Sequence, residues 1–238
     1  MSNEIINWNN VHQQSDKFKN NQPFRFAFIK EFINRNFYKK LYETFPQIDD
    51  SWEIRSDLSK YQYVKHWTKN KDGTSCLPDE DSRFSKEWNI FKQYCESDEF
   101  IYNFKKFSGI EISKLKHFNF TCYRKGGFQL SHIHNSGPST LILMVYFSKN
   151  WKQGSAGGTF MATEEDEKSI IFEPYDLDNT MAIFHDGPQS AHGVRYISED
   201  VTRQAIQIML EGYSEEAGWT GGTHTSIAEK RFEKAIEL

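Results

Sequence analysis

From His117 to Leu210 the chain alternates short apolar, β-branched and aromatic runs with clusters of Gly, Asn, Asp and Pro. The runs are "HFNFTCY", "FQLSHIH", "STLILMVYF", "KSIIFE", "NTMAIFH", "AHGVRYI" and "RQAIQIML", each of strand length and most bounded by turn formers. About seven such strands predict a mainly β fold with flanking helices, two sheets closed on each other as a jelly roll (double-stranded β-helix).

Ahead of this region the pattern is helical. Between Phe24 and Pro46, residues Ile29, Phe32, Ile33, Phe37, Leu41 and Phe45 keep a three-to-four spacing, which predicts one helix that buries a face and stops at Pro46. The stretch Ser85 to Phe107 carries two apolar stripes, Trp88, Phe91 and Cys95, then Phe100 or Ile101, Phe104 and Phe107. Ser97 and Asp98 lie at the break, where either can cap a second helix. Between the helical regions "YQYVKHW" reads as a strand, and Gly73 to Phe84 as a long surface loop and lid. The expected organisation is a single domain, with residues 1–116 as helical support, 117–212 as the jelly-roll core and 213–238 as a tail whose Ser226 to Leu238 form a short helix.

Composition narrows the function classes. Aromatic residues make up 16% of the 238, with 20 Phe and 11 Tyr, which suits flat side chains packed between sheets. The formal charge of -4 is the balance of 29 basic and 33 acidic side chains, and no basic block tracks a phosphate backbone, so nucleic acid is not an expected partner. Cys76, Cys95 and Cys122 are odd in number and widely spaced, which argues against a disulfide framework or zinc ribbon and for a cytoplasmic setting. Neither a leader-like N-terminus nor an apolar run of membrane-spanning length is present, so a soluble protein with no membrane partner is expected.

Candidate chemistry gathers in the strand region. Residues two apart in a strand share a face, so His132 and His134 of "FQLSHIH" point the same way and suit a metal. A third ligand must come from elsewhere, and His192 begins a later strand from which it reaches across a jelly roll. His185 and Asp186, beside Gly187 and Pro188, read as turn residues. Arg203 sits in an otherwise apolar strand, where a buried guanidinium needs a carboxylate. That carboxylate belongs either to a small acidic cosubstrate or to Glu173 or Glu211 in a structural ion pair. Trp67 and Trp151, with the loops at 68–84 and 149–156, are candidates for the entrance, and "GWTGGTHTS" at 218–226 reads as a turn that caps the tail helix.

These residues resemble the iron(II) and 2-oxoglutarate dependent dioxygenases of the prolyl 4-hydroxylase-like branch. "YRKGGFQLSHIH" is similar to that family's lead into its first iron ligand, placing Tyr123, Gly126 and His132 on matching positions. "GGTF" at 157–160 resembles its glycine pair and short strand, His192 its distal histidine, and Arg203 the basic residue that receives the far carboxylate of 2-oxoglutarate. The resemblance covers residues 117–212. It implies an oxidoreductase, by default a hydroxylase, with Fe(II) and 2-oxoglutarate as cofactors. His132, His134 and His192 would then form the metal and catalytic set, Arg203 and Tyr123 would bind the cosubstrate, and a small molecule or peptide would be the substrate.

The departure is His134, where the family has Asp. Two imidazoles and a carboxylate leave divalent iron at a formal net +1, whereas three neutral imidazoles leave it at +2. His134 then either ligates, swings away for water or an anion, or marks a degraded site; its bulk disfavours halogenation. Two other classes stay open: a cupin-like three-histidine metalloprotein, which has no use for Arg203, and a non-catalytic jelly-roll binding module.

Overall fold

A computed structural model describes residues 5–67, 80–134 and 139–212. Most of the expected lid, the turn at 218–226, the tail helix and Cys76 lie outside these residues. The N-terminal region contributes helices α1 (Trp8–Gln13), α2 (Ser15–Asn20), α3 (Arg35–Glu43), α4 (Lys86–Glu96) and α5 (Asp98–Ser108), together with strands β1 (Phe26–Lys30), β2 (Glu53–Asp57) and β3 (Lys60–His66). Eight strands follow: β4 (Lys114–Tyr123), β5 (Phe128–His132), β6 (Thr140–Phe147), β7 (Phe160–Ala162), β8 (Ile170–Phe172), β9 (Asp178–His185), β10 (Ala191–Val194) and β11 (Arg203–Glu211).

All strand pairs are antiparallel. They run in the order β1-β9-β6-β11-β4-β3-β5-β10-β7-β8, with β2 on the far side of β3. The sheet curls into a jelly roll whose larger half is β1-β9-β6-β11-β4 and whose smaller half is β5-β10-β7-β8. Strand β3 joins them, pairing Tyr63–His66 with β4 and Lys60–Tyr61 with β5.

The helices cover the outer face of the larger half. On β6, Leu141, Leu143, Val145 and Phe147 join the helical core, while Ile142, Met144 and Tyr146 turn into the jelly roll. Both faces being covered explains why "TLILMVYF" is apolar throughout and buried at every position. Trp88 and Phe45 anchor the helices through ring contacts with Phe120 at 4.8 and 5.5 Å. Burial of each such side chain stabilises by roughly 1.5–3 kcal/mol. Helices α4 and α5 meet as expected, with Ser97 capping α5 by accepting the Phe100 N–H.

The single helix expected over 24–46 is corrected: its first part is β1, and α3 begins only at Arg35. Phe26 and Phe28 pack on Phe172, while Ala27 and Ile29 face the helical core. With both faces apolar, the two-residue period is hidden in the sequence, and the ladder to β9, from Phe26↔Phe184 to Lys30↔Thr180, decides the conformation. Among the described residues no helix is long and apolar enough to cross a membrane.

Candidate metal centre and cosubstrate pocket

Strands β5 and β10 are neighbours, and their register sets His132 directly opposite His192. His134, two residues beyond His132, returns to the same spot. The three rings lie 4.3–4.8 Å apart between centroids, and one nitrogen from each falls within 4.8 Å of the other two.

The backbone fixes which nitrogen is offered. His132 Nδ1–H donates to the Leu130 carbonyl at 2.9 Å and His192 Nδ1–H to the Ser190 carbonyl at 2.8 Å, so each Nε2 keeps its lone pair. Burial first, and His134 second, push the His132 pKa down to about 4. Burial and then the other two imidazoles push His192 well below the usual histidine range. Both rings are neutral at physiological pH, the state a metal requires.

The donor set fits a divalent ion. His132 Nε2 and His134 Nε2 are 3.0 Å apart, the separation of adjacent ligands on an ion with metal–nitrogen bonds of about 2.1 Å. Behind His134 lies Asp186, 0% exposed, its Oδ1 3.9 Å from His134 Nδ1 and accepting a 3.2 Å hydrogen bond from Ser190 Oγ. Asp186 leads into the turn at 187–190, as expected, and its carboxylate is buried beside the histidines.

Arg203 opens β11, and its side chain is also 0% exposed. Neither Glu173 nor Glu211 meets it: the first holds Arg195 and the second holds Lys114 and Lys116. Its guanidinium donates instead to three neutral oxygens, the Gly157 carbonyl at 3.0 Å, Thr121 Oγ1 at 3.1 Å and Thr159 Oγ1 at 3.0 Å. The group lies between the rings of Tyr123 and Tyr146, 5.1 and 5.0 Å from their centroids. No carboxylate pairs with it among the described residues, so a buried cation with five donors faces neutral partners only.

Tyr123 is buried, and burial pushes its pKa up to about 12, so it is a neutral phenol that donates to Gln62 Oε1 at 2.7 Å. Gln129, 3.0 Å from the same hydroxyl, places its amide nitrogen 3.2 Å from His132 Nε2 and so links the tyrosine to the metal-facing ring. One cleft of about 580 Å³ joins Arg203, Tyr123 and the three histidines.

No family model matches the chain, and no curated protein matches it. Solved structures do. A prolyl-4-hydroxylase from Pseudomonas putida superposes with a TM-score of 0.61 over 85% of this chain and 99% of its own, at 9% identity. A Trichoplax adhaerens prolyl hydroxylase, solved with a peptide fragment of the hypoxia inducible factor oxygen degradation domain, gives 0.57 over 86% and 88%, at 13% identity. A 2OG-Fe(II) oxygenase family oxidoreductase from Burkholderia pseudomallei gives 0.57 over 91% and 94%, at 10% identity. The fold is that of the prolyl 4-hydroxylase-like oxygenases.

On this oxygenase fold His132, His134, His192, Tyr123 and Arg203 all line one cleft, whereas His185 ends β9 outside the histidine cluster. Of the entrance and the core or surface roles open to Trp67 and Trp151, the structure favours the latter, since neither lines this cleft. Trp67 is fully buried, stacked on Phe84 at 4.6 Å, and Trp151 lines a separate depression with Ala156 and Ile197. Sequence reasoning missed Gln62, Gln129, Thr121, Thr159 and Tyr146. Its one usable signal was the alternation on β4, where Phe118, Phe120 and Cys122 face the helices and the odd-numbered polar residues face the cleft.

Proposed function

We propose that this protein is a non-heme iron(II) and 2-oxoglutarate dependent oxygenase that hydroxylates its substrate, with His132, His134 and His192 holding the metal. The observation that carries this reading is Arg203, a fully buried guanidinium with only neutral partners, in the same cleft as three imidazoles prepared as ligands. A dianionic 2-oxo acid answers both features, with one end chelating and the other ending in a carboxylate. A cupin-like metalloprotein would leave Arg203 without a use.

When bound, iron(II) supplies the centre at which dioxygen is reduced by substrate and 2-oxoglutarate, giving hydroxylated product, succinate and carbon dioxide. The protein's own contribution is positional and electrostatic. Arg203 receives the far carboxylate by a charge-assisted fork, with Thr121 and Thr159 holding the guanidinium flat. Tyr123 and Gln129 maintain a neutral hydrogen-bonded wall between that end and His132. The carbonyls of Leu130 and Ser190 keep the Nε2 atoms unprotonated, and Ile142, Met144 and Phe184 make the metal side of the cleft apolar, limiting water.

The test is an anaerobic titration with iron(II) and then 2-oxoglutarate, followed by the visible metal-to-ligand charge-transfer band. The parent protein develops the band, and Arg203→Met binds iron but loses it. Iron binding without a band in the parent would sink the 2-oxoglutarate reading.

A further inference from the structure

The cleft is two-faced beyond the histidines. Ile142 and Met144 of β6, Phe184 of β9 and Met209 of β11 form one wall, and the Phe184 ring lies 4.5 Å from His192, so hydrocarbon abuts the metal centre. Arg55, Lys60, His66, Lys116, His117 and Asn119, from β2, β3 and β4, form the other wall. The lining includes these three cations besides Arg203 and, among the described residues, no carboxylate.

Neighbouring acids offset part of this charge. Glu53 holds Arg55 at 3.0 Å, and Glu211 is shared by Lys114 at 3.2 Å and Lys116 at 2.5 Å. Lys60 makes no ion pair among the described residues. Asp57 acts on Lys60 through space, so Arg55, Lys60 and Lys116, with Lys114 behind them, stand against three acids, Glu53, Glu211 and Asp57, and a net positive charge faces a cleft whose opposite wall is apolar. Gln207 on β11 and His117 on β4 also line the cleft, and their side chains have no hydrogen-bond partner among the described residues. Burial and the adjacent Lys116 hold His117 below the ordinary histidine range, so its ring is neutral and able to donate or accept.

We infer that the substrate is a small organic anion whose carboxylate or phosphate head meets the Arg55–Lys60–Lys116 wall while its hydrocarbon portion lies against Phe184, Ile142 and Met209 beside the metal. Gln207 and His117 hydrogen-bond its polar atoms between the two. This assignment rests on the oxygenase reading, which reserves the Arg203 end for 2-oxoglutarate. It also fits the volume, since about 580 Å³ holds both molecules only if each is small.

The experiment uses the full chain loaded with zinc(II) and saturated with 2-oxoglutarate, with methionine methyls labelled so that Met144 and Met209 report from inside the cleft. The probes are hexanoate, hexyl phosphate, 1-hexanol and acetate. Hexanoate or hexyl phosphate shifts these methyls at a concentration about tenfold below 1-hexanol and acetate, and the tighter of the two names the head group. Lys60→Gln and Arg55→Gln, both at partly exposed positions that tolerate the change, each weaken the anion about fourfold and leave 1-hexanol unaffected.

Equal binding of 1-hexanol, indifference to both substitutions, or no methyl shift with any probe overturns the inference. The comparison is repeated on Arg203→Met, where a probe carboxylate has no hold at the cosubstrate end. Failure of the parent protein to bind 2-oxoglutarate, with hexanoate still preferred in the Arg203→Met background, refutes the oxygenase reading and keeps the anionic cleft.

Discussion

Asp186 Oδ1 lies 3.9 Å from Nδ1 of His134, so this buried carboxylate stands behind one ring of the histidine cluster rather than among the three clustered nitrogens. Where the resemblance drawn from the sequence would put an Asp at position 134, this chain has an imidazole, and its buried carboxylate, Asp186, sits behind that ring. That charge opposes the extra +1 left by the third neutral histidine and favours the Nδ1–H tautomer that presents Nε2. Asp186→Asn is expected to retain the fold and lower metal affinity by roughly tenfold to a hundredfold in a chelator competition. An unchanged affinity would show that the carboxylate serves only Ser190.

Gly157 connects backbone conformation to the Arg203 end of the cleft, where 2-oxoglutarate is proposed to bind. Its φ is +140°, a Cβ there would overlap the Trp151 ring, and its carbonyl accepts from Arg203 Nε. Gly157→Ala is expected to cost about 2 kcal/mol in urea denaturation and to weaken 2-oxoglutarate binding more than metal binding. Equal losses of both ligands would place the strain elsewhere.

Acid sensitivity follows from the buried imidazoles. His132 and His192 are held below the ordinary histidine value of about 6.5, so the unfolded chain takes up protons at a pH where the folded chain does not. Their contribution is fully present above pH 6.5 and is lost as pH falls toward about 4, where His132 itself protonates. The urea midpoint of the metal-free protein should fall between pH 7 and pH 5, and His132→Gln should make that fall shallower. A midpoint independent of pH across this range would refute the assignment.

Ser97 gives a prediction that needs no ligand. Its Oγ accepts from the Phe100 N–H and donates to the Tyr94 carbonyl at 2.7 Å, serving the start of α5 and the end of α4 together. Ser97→Ala is expected to cost about 1 kcal/mol in thermal or urea unfolding. A loss within error would mean that packing alone sets the junction.

The break at Ser97 was legible because a change of helical face and a capping residue coincide there. The jelly-roll strands were legible because turn formers separate them. Strand β1 was not, since both its faces are covered and Phe26, Ala27, Phe28 and Ile29 form an unbroken apolar run that hides the period of two. At the site, His132, His134, His192 and Arg203 stood out as residue types that are expensive to bury or suited to ligation, whereas Tyr123 came only from the family resemblance. Thr121, Thr159 and Gln129 act only through partners that the fold brings from distant positions, and nothing local distinguishes them from ordinary polar strand residues. The turn after Asp186 was legible from Gly187 and Pro188, but the burial of its carboxylate was not, since that depends on packing beside His134 and Ser190.

The pairing of β1 with β9 also shapes how the chain is made. Strand β1 ends at Lys30 and its partner begins at Asp178, so during synthesis the N-terminal strand emerges long before anything can satisfy its edge. Until then "FAFIK" is an apolar strand open to other chains, the kind of segment that nucleates aggregation. Slow translation past residue 30, or release of a chain truncated before residue 178, would therefore yield a product that needs chaperone protection rather than a smaller folded unit.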